Sequence, residues 1–309
     1  MEEIKQLDEQ AEKLKKEGNY VQALQVVEEA LSVRKEHFEE DSSQVKHSYR
    51  QLCELCNILA TQYLQKDQNQ LAFDLLKRAE MLCERDEHAK TITFNNYACY
   101  YRKVGKARIS MNYLNRALAL ESGNPNTHLN LCAVLSQIKK HEKAAEHAMM
   151  AVILLQEMFI LSKDDTEETA SLLSIAYHNL AVEFEYLKRT EESLSFYKKA
   201  ADFAAQHVTQ ANPVVENVSS AYEKASKDFE LTLKKKKKRI VHKSTGSKIS
   251  NIIKSPQKQN FSDEERPQFE KKKSKYKLKS SEAKKSRPSR NNGKKVESED
   301  DFDFQDNPQ

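Results

Sequence analysis

Small and large apolar side chains recur with one spacing in five successive segments of this chain, here called repeats 1 to 5. Each has a small residue, a leucine or aromatic residue three positions later, a turn position four further on, and small residues five and then seven positions after that. The five sets are Ala11, Leu14, Gly18, Ala23, Ala30; Ala60, Tyr63, Asp67, Ala72, Ala79; Ala98, Tyr101, Gly105, Ser110, Ala117; Cys132, Leu135, Lys139, Ala144, Ala151; and Ala181, Phe184, Lys188, Ser193, Ala200. Closely crossing helices need small side chains at their contact, so each repeat predicts two antiparallel helices.

This spacing resembles the tetratricopeptide repeat (TPR), whose standard period is 34 residues. The resemblance covers residues 1 to about 205 and implies an all-α solenoid of stacked helical hairpins. Gly18 and Gly105 stand at the turn position, where a left-handed backbone favours glycine. In the other three repeats the turn position is occupied by Asp67, Lys139 and Lys188. There no glycine marks the turn, and only its place in the repeat spacing predicts it.

The chain continues past repeat 5 with a helix and then changes character. Asn212-Pro213 begins the helix, since proline is tolerated in a first turn, and apolar residues follow helical spacing to Leu233. This helix would cover the open end of the solenoid. Beyond it apolar residues are too few to offset chain entropy. We therefore predict a solenoid with a capping helix over 1–233, a disordered Lys-rich tail over 234–296 and an acidic aromatic tip over 297–309.

Charge divides at the same boundaries. The net charge of +4 is the sum of −8 for residues 1–233, +18 for residues 234–296 and −6 for the last 13 residues. No run of about 18 uncharged apolar residues occurs, so we expect no membrane insertion. The five cysteines form an odd set without an extracellular context, so we expect reduced, buried thiols in a cytoplasmic protein.

Catalytic and metal-binding patterns are poor. Cys53 and Cys56 have zinc or redox spacing, but no second pair lies near them, and both fall within a predicted helix where packing is the favoured interpretation. His141 and His147 are six residues apart and so lie on different helix faces. No nucleophile is indicated. We predict a protein that is not an enzyme and has no catalytic residue, metal or cofactor.

The repeats are not all of standard length, and their lengthening suggests a subfamily. Successive first small residues are separated by 49, 38, 34 and 49 residues. The segment from Ala30 to Lys35, the acidic loop after it and Leu59-Ala60 resemble the lengthened repeats of kinesin light chains. That resemblance implies that asparagines on the first helices line a peptide-binding groove.

The register places seven candidate peptide-binding residues on the first helices, which line the concave face of a TPR solenoid. Amides offer both donors and acceptors, so a row of them can hold a peptide backbone of any sequence. The alternative is that some of the asparagines cap or bridge neighbouring helices. A chaperone-type carboxylate clamp is disfavoured, because Asp8 and Glu12 stand where that clamp has Lys and Asn. The candidates are Asn57, Asn95, Asn96, Arg102, Asn130, His178 and Asn179.

Two basic clusters in the tail predict contact with an acidic polymer, either tubulin tails or nucleic acid. The first can equally be a nuclear import signal or a solvated end. They comprise Lys234, Lys235, Lys236, Lys237, Lys238, Arg239, Lys271, Lys272 and Lys273. Phe302 and Phe304 alternate with acids and resemble the aromatic-acidic peptides that kinesin-light-chain-like grooves bind. Intramolecular docking of this tip in the groove is one hypothesis, and an acidic end folded on the basic tail is the other.

These features together predict an adaptor whose groove binds an extended or helical segment of a protein partner. A cytoplasmic location, with a cytoskeletal or ciliary setting, fits the kinesin-light-chain resemblance. The alternatives are a nuclear or RNA-associated factor that uses the Lys234–Arg239 run for import and nucleic-acid contact, and a solenoid buried within a larger complex.

Overall fold

The computed structural model describes residues 2–84, 86–161 and 167–245, with side chains up to Lys235. Within these residues the protein forms eleven α-helices and no strand. The helices are α1 (Glu2–Lys16), α2 (Tyr20–His37), α3 (Ser43–Gln65), α4 (Asn69–Leu82), α5 (Glu87–Lys103), α6 (Ala107–Leu120), α7 (Pro125–Gln137), α8 (His141–Leu161), α9 (Glu167–Tyr186), α10 (Thr190–His207) and α11 (Pro213–Thr245).

The helices pair as five hairpins, one for each predicted repeat, and α11 follows. The first small residue of every repeat is buried against its partner helix, from Ala11 to Ala181. Where the second helix has serine in place of alanine, the hydroxyl donates to the carbonyl of that small residue: Ser110 Oγ to Ala98 O at 2.7 Å and Ser193 Oγ to Ala181 O at 2.8 Å. The fold is an all-α, TPR-type hairpin solenoid, as the spacing predicts.

All five turn positions are left-handed, including the three without glycine. The φ angles are +77° at Gly18, +60° at Asp67, +78° at Gly105, +61° at Lys139 and +62° at Lys188. The amide of the next residue donates to the carbonyl of the large apolar residue five positions back, at 2.8–2.9 Å in every repeat. This bond is the mark of a Schellman motif, which satisfies the last carbonyls of the first helix.

The first helices lie on the inner side of the solenoid. From α3 onward, each first helix approaches the next within 8 Å between Cα atoms, at α3–α5, α5–α7 and α7–α9. Among the described residues, no two second helices approach one another as closely. Elements packed more tightly on one side curve the stack toward that side, so the first helices line its concave face.

Helix α11 closes the last repeat and then extends further than the composition predicts. Val215 and Val218 are buried against α9 and α10, which confirms the capping role of its first turns. The helix continues past Leu233 to Thr245, twelve residues into the segment predicted as disordered. Lysine and arginine are good helix formers, Glu230 and Lys234 form an i,i+4 ion pair at 3.7 Å, and Gly246 is the first helix breaker.

One helix among the described residues, α8, is long and apolar enough to cross a membrane by length and composition alone. In the solenoid it is the second helix of repeat 4. It packs against α7 and α9, with Ala148, Ala151 and Leu155 buried. Packing in the solenoid therefore accounts for part of its apolar character, while Met158, Ile160 and Leu161 near the end of α8 are exposed.

A buried imidazole pair joins α7 to α8. His128 Nε2 donates to the Ser122 carbonyl at 3.2 Å, so in the neutral ring its Nδ1 accepts a hydrogen bond from His147 Nδ1–H at 2.9 Å. Burial lowers the pKa of both imidazoles, and the neighbouring His128 helps to lower that of His147 to about 4. The pair is therefore neutral in the folded protein at pH 7.

We expect this pair to make stability fall with acidification. Because the folded-state pKa values lie below the ordinary 6.5, the unfolded chain binds more protons as pH falls from 6.5 toward 4. The free energy of unfolding should drop by at most about 1.4 kcal/mol per pH unit for each histidine. Urea titrations between pH 7.5 and 5 measure the slope. His147→Gln should flatten it and His37→Gln, at an exposed site, should not; equal slopes in all three proteins would contradict the assignment.

The left-handed turn gives a second expectation. Lys139→Gly should raise the free energy of unfolding by roughly 0.5–1 kcal/mol, because glycine adopts positive φ without the Cβ clash. Lys143→Gly, four residues later inside α8, should lower it by about 1 kcal/mol through loss of helix propensity. Thermal unfolding of both variants tests whether the free energy of unfolding rises in the first and falls in the second. A decrease for Lys139→Gly would mean that this turn carries no strain.

Candidate peptide-binding groove

The concave surface is built on α3, α5, α7 and α9, and a row of amides joins the first three of these helices. The amides belong to two register positions, three and two residues before the first small residue of each repeat. They differ in burial, and this difference divides the predicted site residues into two groups.

Asn57 and Asn95, at the first of these positions, do not line the groove. They are only 4% and 6% exposed, which corrects the prediction that both face a ligand. Asn57 donates to its own helix at Cys53 O (3.0 Å) and to Thr93 Oγ1 on α5 (3.0 Å). Asn95 repeats the arrangement one helix further on, donating to Thr91 O at 2.9 Å and Thr127 Oγ1 at 2.8 Å. The position points at the next repeat, so each amide bridges two repeats, as the alternative interpretation held.

Asn96 and Asn130 occupy the second position and remain half-buried. Each donates one N–H to the buried amide of the preceding repeat: Asn96 Nδ2 to Asn57 Oδ1 and Asn130 Nδ2 to Asn95 Oδ1, both at 2.9 Å. One N–H of each remains, together with Asn96 Oδ1, while Asn130 Oδ1 accepts only a 3.5 Å contact from the Cys99 thiol. The bridge thus holds these amides in one orientation and leaves part of their bonding capacity open.

The bridge ends at repeat 5. The residues that would continue it are Leu129 on α7 and Ala176 on α9, neither of which offers a polar side-chain atom. Asn179 consequently has no hydrogen-bond partner among the described residues, although it holds the same register position as Asn96 and Asn130. All its donors and its acceptor remain open.

The two remaining groove candidates differ from one another. Arg102, near the end of α5, is half-buried and has no ion-pair partner within the described residues. His178 packs edge-on against Tyr197 of α10, with ring centroids 5.5 Å apart, and its Nδ1 is buried without a hydrogen bond. Burial lowers the pKa of His178, so it is a neutral packing residue of the fifth hairpin rather than a charge for a ligand.

Small side chains lie next to the open amides. One residue after the first small residue of repeats 3, 4 and 5 come Cys99, Ala133 and Val182, all half-buried. Such short side chains leave room for an incoming chain to approach the amides. Sequence reasoning missed this strip, although its register position was available as a signal.

The cysteines and histidines whose spacing was considered for a metal site are engaged in contacts within the fold. Cys53 and Cys56 are buried in α3, as predicted, and burial raises the pKa of the Cys56 thiol to about 11. His141 contacts Glu183 at 2.8 Å, while His147 contacts His128. The described residues contain no group of three or more His, Cys, Asp or Glu side chains arranged to hold a metal ion.

Most of the basic tail lies outside what the structure describes. The side chains of Lys234 and Lys235 are exposed on α11. The backbone of residues 236–239 continues that helix, but their side chains are outside the described set, as are Lys271, Lys272, Lys273, Phe302 and Phe304.

Comparison with known proteins supports the fold. The chain is similar to BtubC (BKLC) from P. vanneervenii, with a TM-score of 0.53 and 17% identity over 80% of this chain and 98% of that one. Lower scores are found with a putative kinesin light chain with nearly identical TPR-like repeats from Podosopora anserina (0.42, 14% identity, 68% and 97% covered) and with the MamA protein (0.42, 15%, 66% and 93%). No protein-family model and no curated protein matches the sequence.

The division of the asparagines can be tested by stability. Asn95→Ala should lower the free energy of unfolding by about 1–3 kcal/mol, because it leaves Asn130 Nδ2 without its acceptor and Thr127 Oγ1 without its donor. Asn179→Ala should change it by no more than about 0.5 kcal/mol, since no bond is lost. Urea unfolding followed by circular dichroism measures both. A similar loss in the two variants would contradict the bridge.

Proposed function

We propose that this protein is a non-enzymatic interaction scaffold that binds an extended or helical segment of a protein partner in its concave groove. The observation that carries the proposal is the row of half-buried amides at one register position, Asn96, Asn130 and Asn179, whose hydrogen-bonding capacity is incompletely used. Their repetition along the stack suits a ligand that is itself a chain with repeating donors and acceptors.

Preorganisation strengthens this proposal. Asn96 and Asn130 are already oriented by their bonds to Asn57 and Asn95, so little side-chain entropy is lost when a ligand binds. The strip of Cys99, Ala133 and Val182 lets a backbone approach. A backbone amide that pairs with these asparagines replaces water without leaving a buried polar group unsatisfied.

Charge near the groove indicates the chemistry of the partner segment. Arg102, near the end of α5 in repeat 3, has no ion-pair partner within the described part of the chain, so its charge remains available to a ligand. A partner segment with an acidic side chain near that repeat complements it.

The basic segment 234–296 supplies a second attachment in this proposal, to an acidic surface such as tubulin tails or nucleic acid. What supports it is the charge of +18 over that segment and the projection of α11 to Thr245, beyond the packed part of the solenoid. Proteins held in this way lose affinity steeply with salt. A microtubule or ciliary setting and a nuclear, RNA-associated one are the two settings it allows.

Proximity labelling tests the groove. The full chain fused to a labelling enzyme should lose its groove partner when Asn96, Asn130 and Asn179 are all replaced by alanine, with at least a fivefold drop in labelling of that partner. The matched control replaces Asn112, Asn115 and Asn217, which are exposed on α6 and α11, and should leave the labelled set unchanged. An unchanged set in the groove variant would overturn the proposal.

A further inference from the structure

The two edges of the solenoid carry opposite charge. One edge, here called the hairpin edge, holds the turns inside each repeat; the other, the loop edge, holds the connections between repeats. The hairpin edge has 13 bases and 6 acids, and the described residues of the loop edge have 3 bases and 12 acids. The hairpin edge comprises residues 13–21, 62–70, 100–108, 134–143 and 183–191; the loop edge comprises 35–46, 83–91, 120–128, 157–168 and 206–216.

Side-chain contacts join the turns of repeats 2 and 3, and those of repeats 4 and 5, along the hairpin edge. Lys103 of repeat 3 donates to Leu64 O and pairs with Asp67 in the turn of repeat 2. His141, after the turn of repeat 4, stacks on Tyr186 of repeat 5 with ring centroids 4.2 Å apart. Between these, Ala107, Ile138 and Leu187, one from each of repeats 3 to 5, pack on the same core cluster.

The positive charge is concentrated at the turns of repeats 3 and 4, where residues 100–108 and 134–143 hold seven bases and one acid. Five of these bases are exposed and have no ion-pair partner among the described residues: Lys106, Arg108, Lys139, Lys140 and Lys143. On the outer helices, by contrast, Arg78 pairs with Glu28 and Arg116 with Glu80. Five exposed cations at two neighbouring turns raise the local potential.

Helix-end electrostatics account for only part of this placement. Lys103 and Lys139 stand at or just past the C-terminal ends of α5 and α7, where a cation is favourable. Missing caps do not single out the cations, because Asn19 and Gln68, the N-cap residues of α2 and α4, make no side-chain cap either. Lys106, Arg108 and Lys143, in or next to the first turns of α6 and α8, gain nothing from the helix dipoles, since a cation at a helix N-terminus is unfavourable by about 0.3–1 kcal/mol.

We propose that the hairpin edge, centred on the turns of repeats 3 and 4, is a second binding surface that takes an acidic polypeptide segment. It does not depend on the amide groove, because Lys106, Arg108, Lys139, Lys140 and Lys143 take no part in the amide row. Carboxylates from such a segment supply the negative charge that these four lysines and one arginine lack among the described residues of the fold.

An acidic polypeptide fits this edge better than nucleic acid does. Single-stranded nucleic acid binds by stacking its bases on aromatic side chains. Among the described residues of the hairpin edge only one aromatic side chain, Tyr186, is exposed, and one of its faces is covered by His141.

Zero-length carbodiimide cross-linking of the full chain to a labelled decaglutamate peptide tests the proposal, with the cross-linked lysines mapped by mass spectrometry. Because the basic tail also attracts this probe, the readout is the yield at individual lysines. We expect yields at Lys106, Lys139, Lys140 and Lys143 at least fivefold above those at Lys198, Lys199 and Lys224, which are exposed on α10 and α11. Raising salt from 50 to 300 mM should reduce them.

Charge-neutral variants complete the test. Replacing Lys139, Lys140 and Lys143 with glutamine should lower the yield at the remaining Lys106 at least threefold, while glutamine at Lys198, Lys199 and Lys224 should not; circular dichroism confirms that both variants fold. Cross-links confined to residues 234–296, or equal yields at the two sets of lysines, would overturn the proposal. So would an oligouridylate that displaces the peptide from the edge at lower concentration than unlabelled decaglutamate, since the edge would then prefer nucleic acid.

Discussion

The close contact between the two helices of each hairpin is the constraint on which the rest of this protein depends. It requires a small residue on both helices, and it requires the chain to reverse within a few residues through a left-handed position. Three of the five turns meet that requirement with Asp67, Lys139 and Lys188, although a side chain there is strained. The same Schellman hydrogen bond, from an amide to the carbonyl five residues earlier, closes the turn in all repeats, so the tertiary contact between the helices outweighs the local cost.

That contact is also why the fold could be predicted from the sequence. A position that tolerates only alanine, serine or cysteine recurs visibly, and its spacing defines both helices and the turn between them. The end of α11 could not be predicted in the same way. Composition measures whether a segment can bury a core, whereas a single helix that continues from a packed one needs only good helix formers and no breaker. The run from Lys234 to Arg239 satisfies that weaker condition.

The candidate site was predicted only in part, for a related reason. Register on α5 locates Asn95 and Asn96 on neighbouring directions of the inner face, but the burial of each depends on the helix that packs beside α5. Thr93 and Thr127 accept hydrogen bonds from Asn57 and Asn95 across neighbouring repeats, which makes these amides bridges between repeats. The role of the threonines can be recognised only once the helices are placed side by side. The same comparison explains Asn179, whose bridge is missing because Leu129 and Ala176 stand at the corresponding positions.

A solenoid keeps such surfaces apart because each repeat contacts only its neighbours. The inner face is used by the amide bridge, whose buried members stabilise the stack and whose half-buried members remain open. At the hairpin edge, a backbone Schellman bond closes each turn. The exposed side chains of Lys106, Arg108, Lys139, Lys140 and Lys143 can therefore change with little effect on the contact between the helices. Lys106, Arg108 and Lys143, which lie at the N-terminal ends of α6 and α8 where acids are favoured, are consequently better explained by what they bind than by what they stabilise.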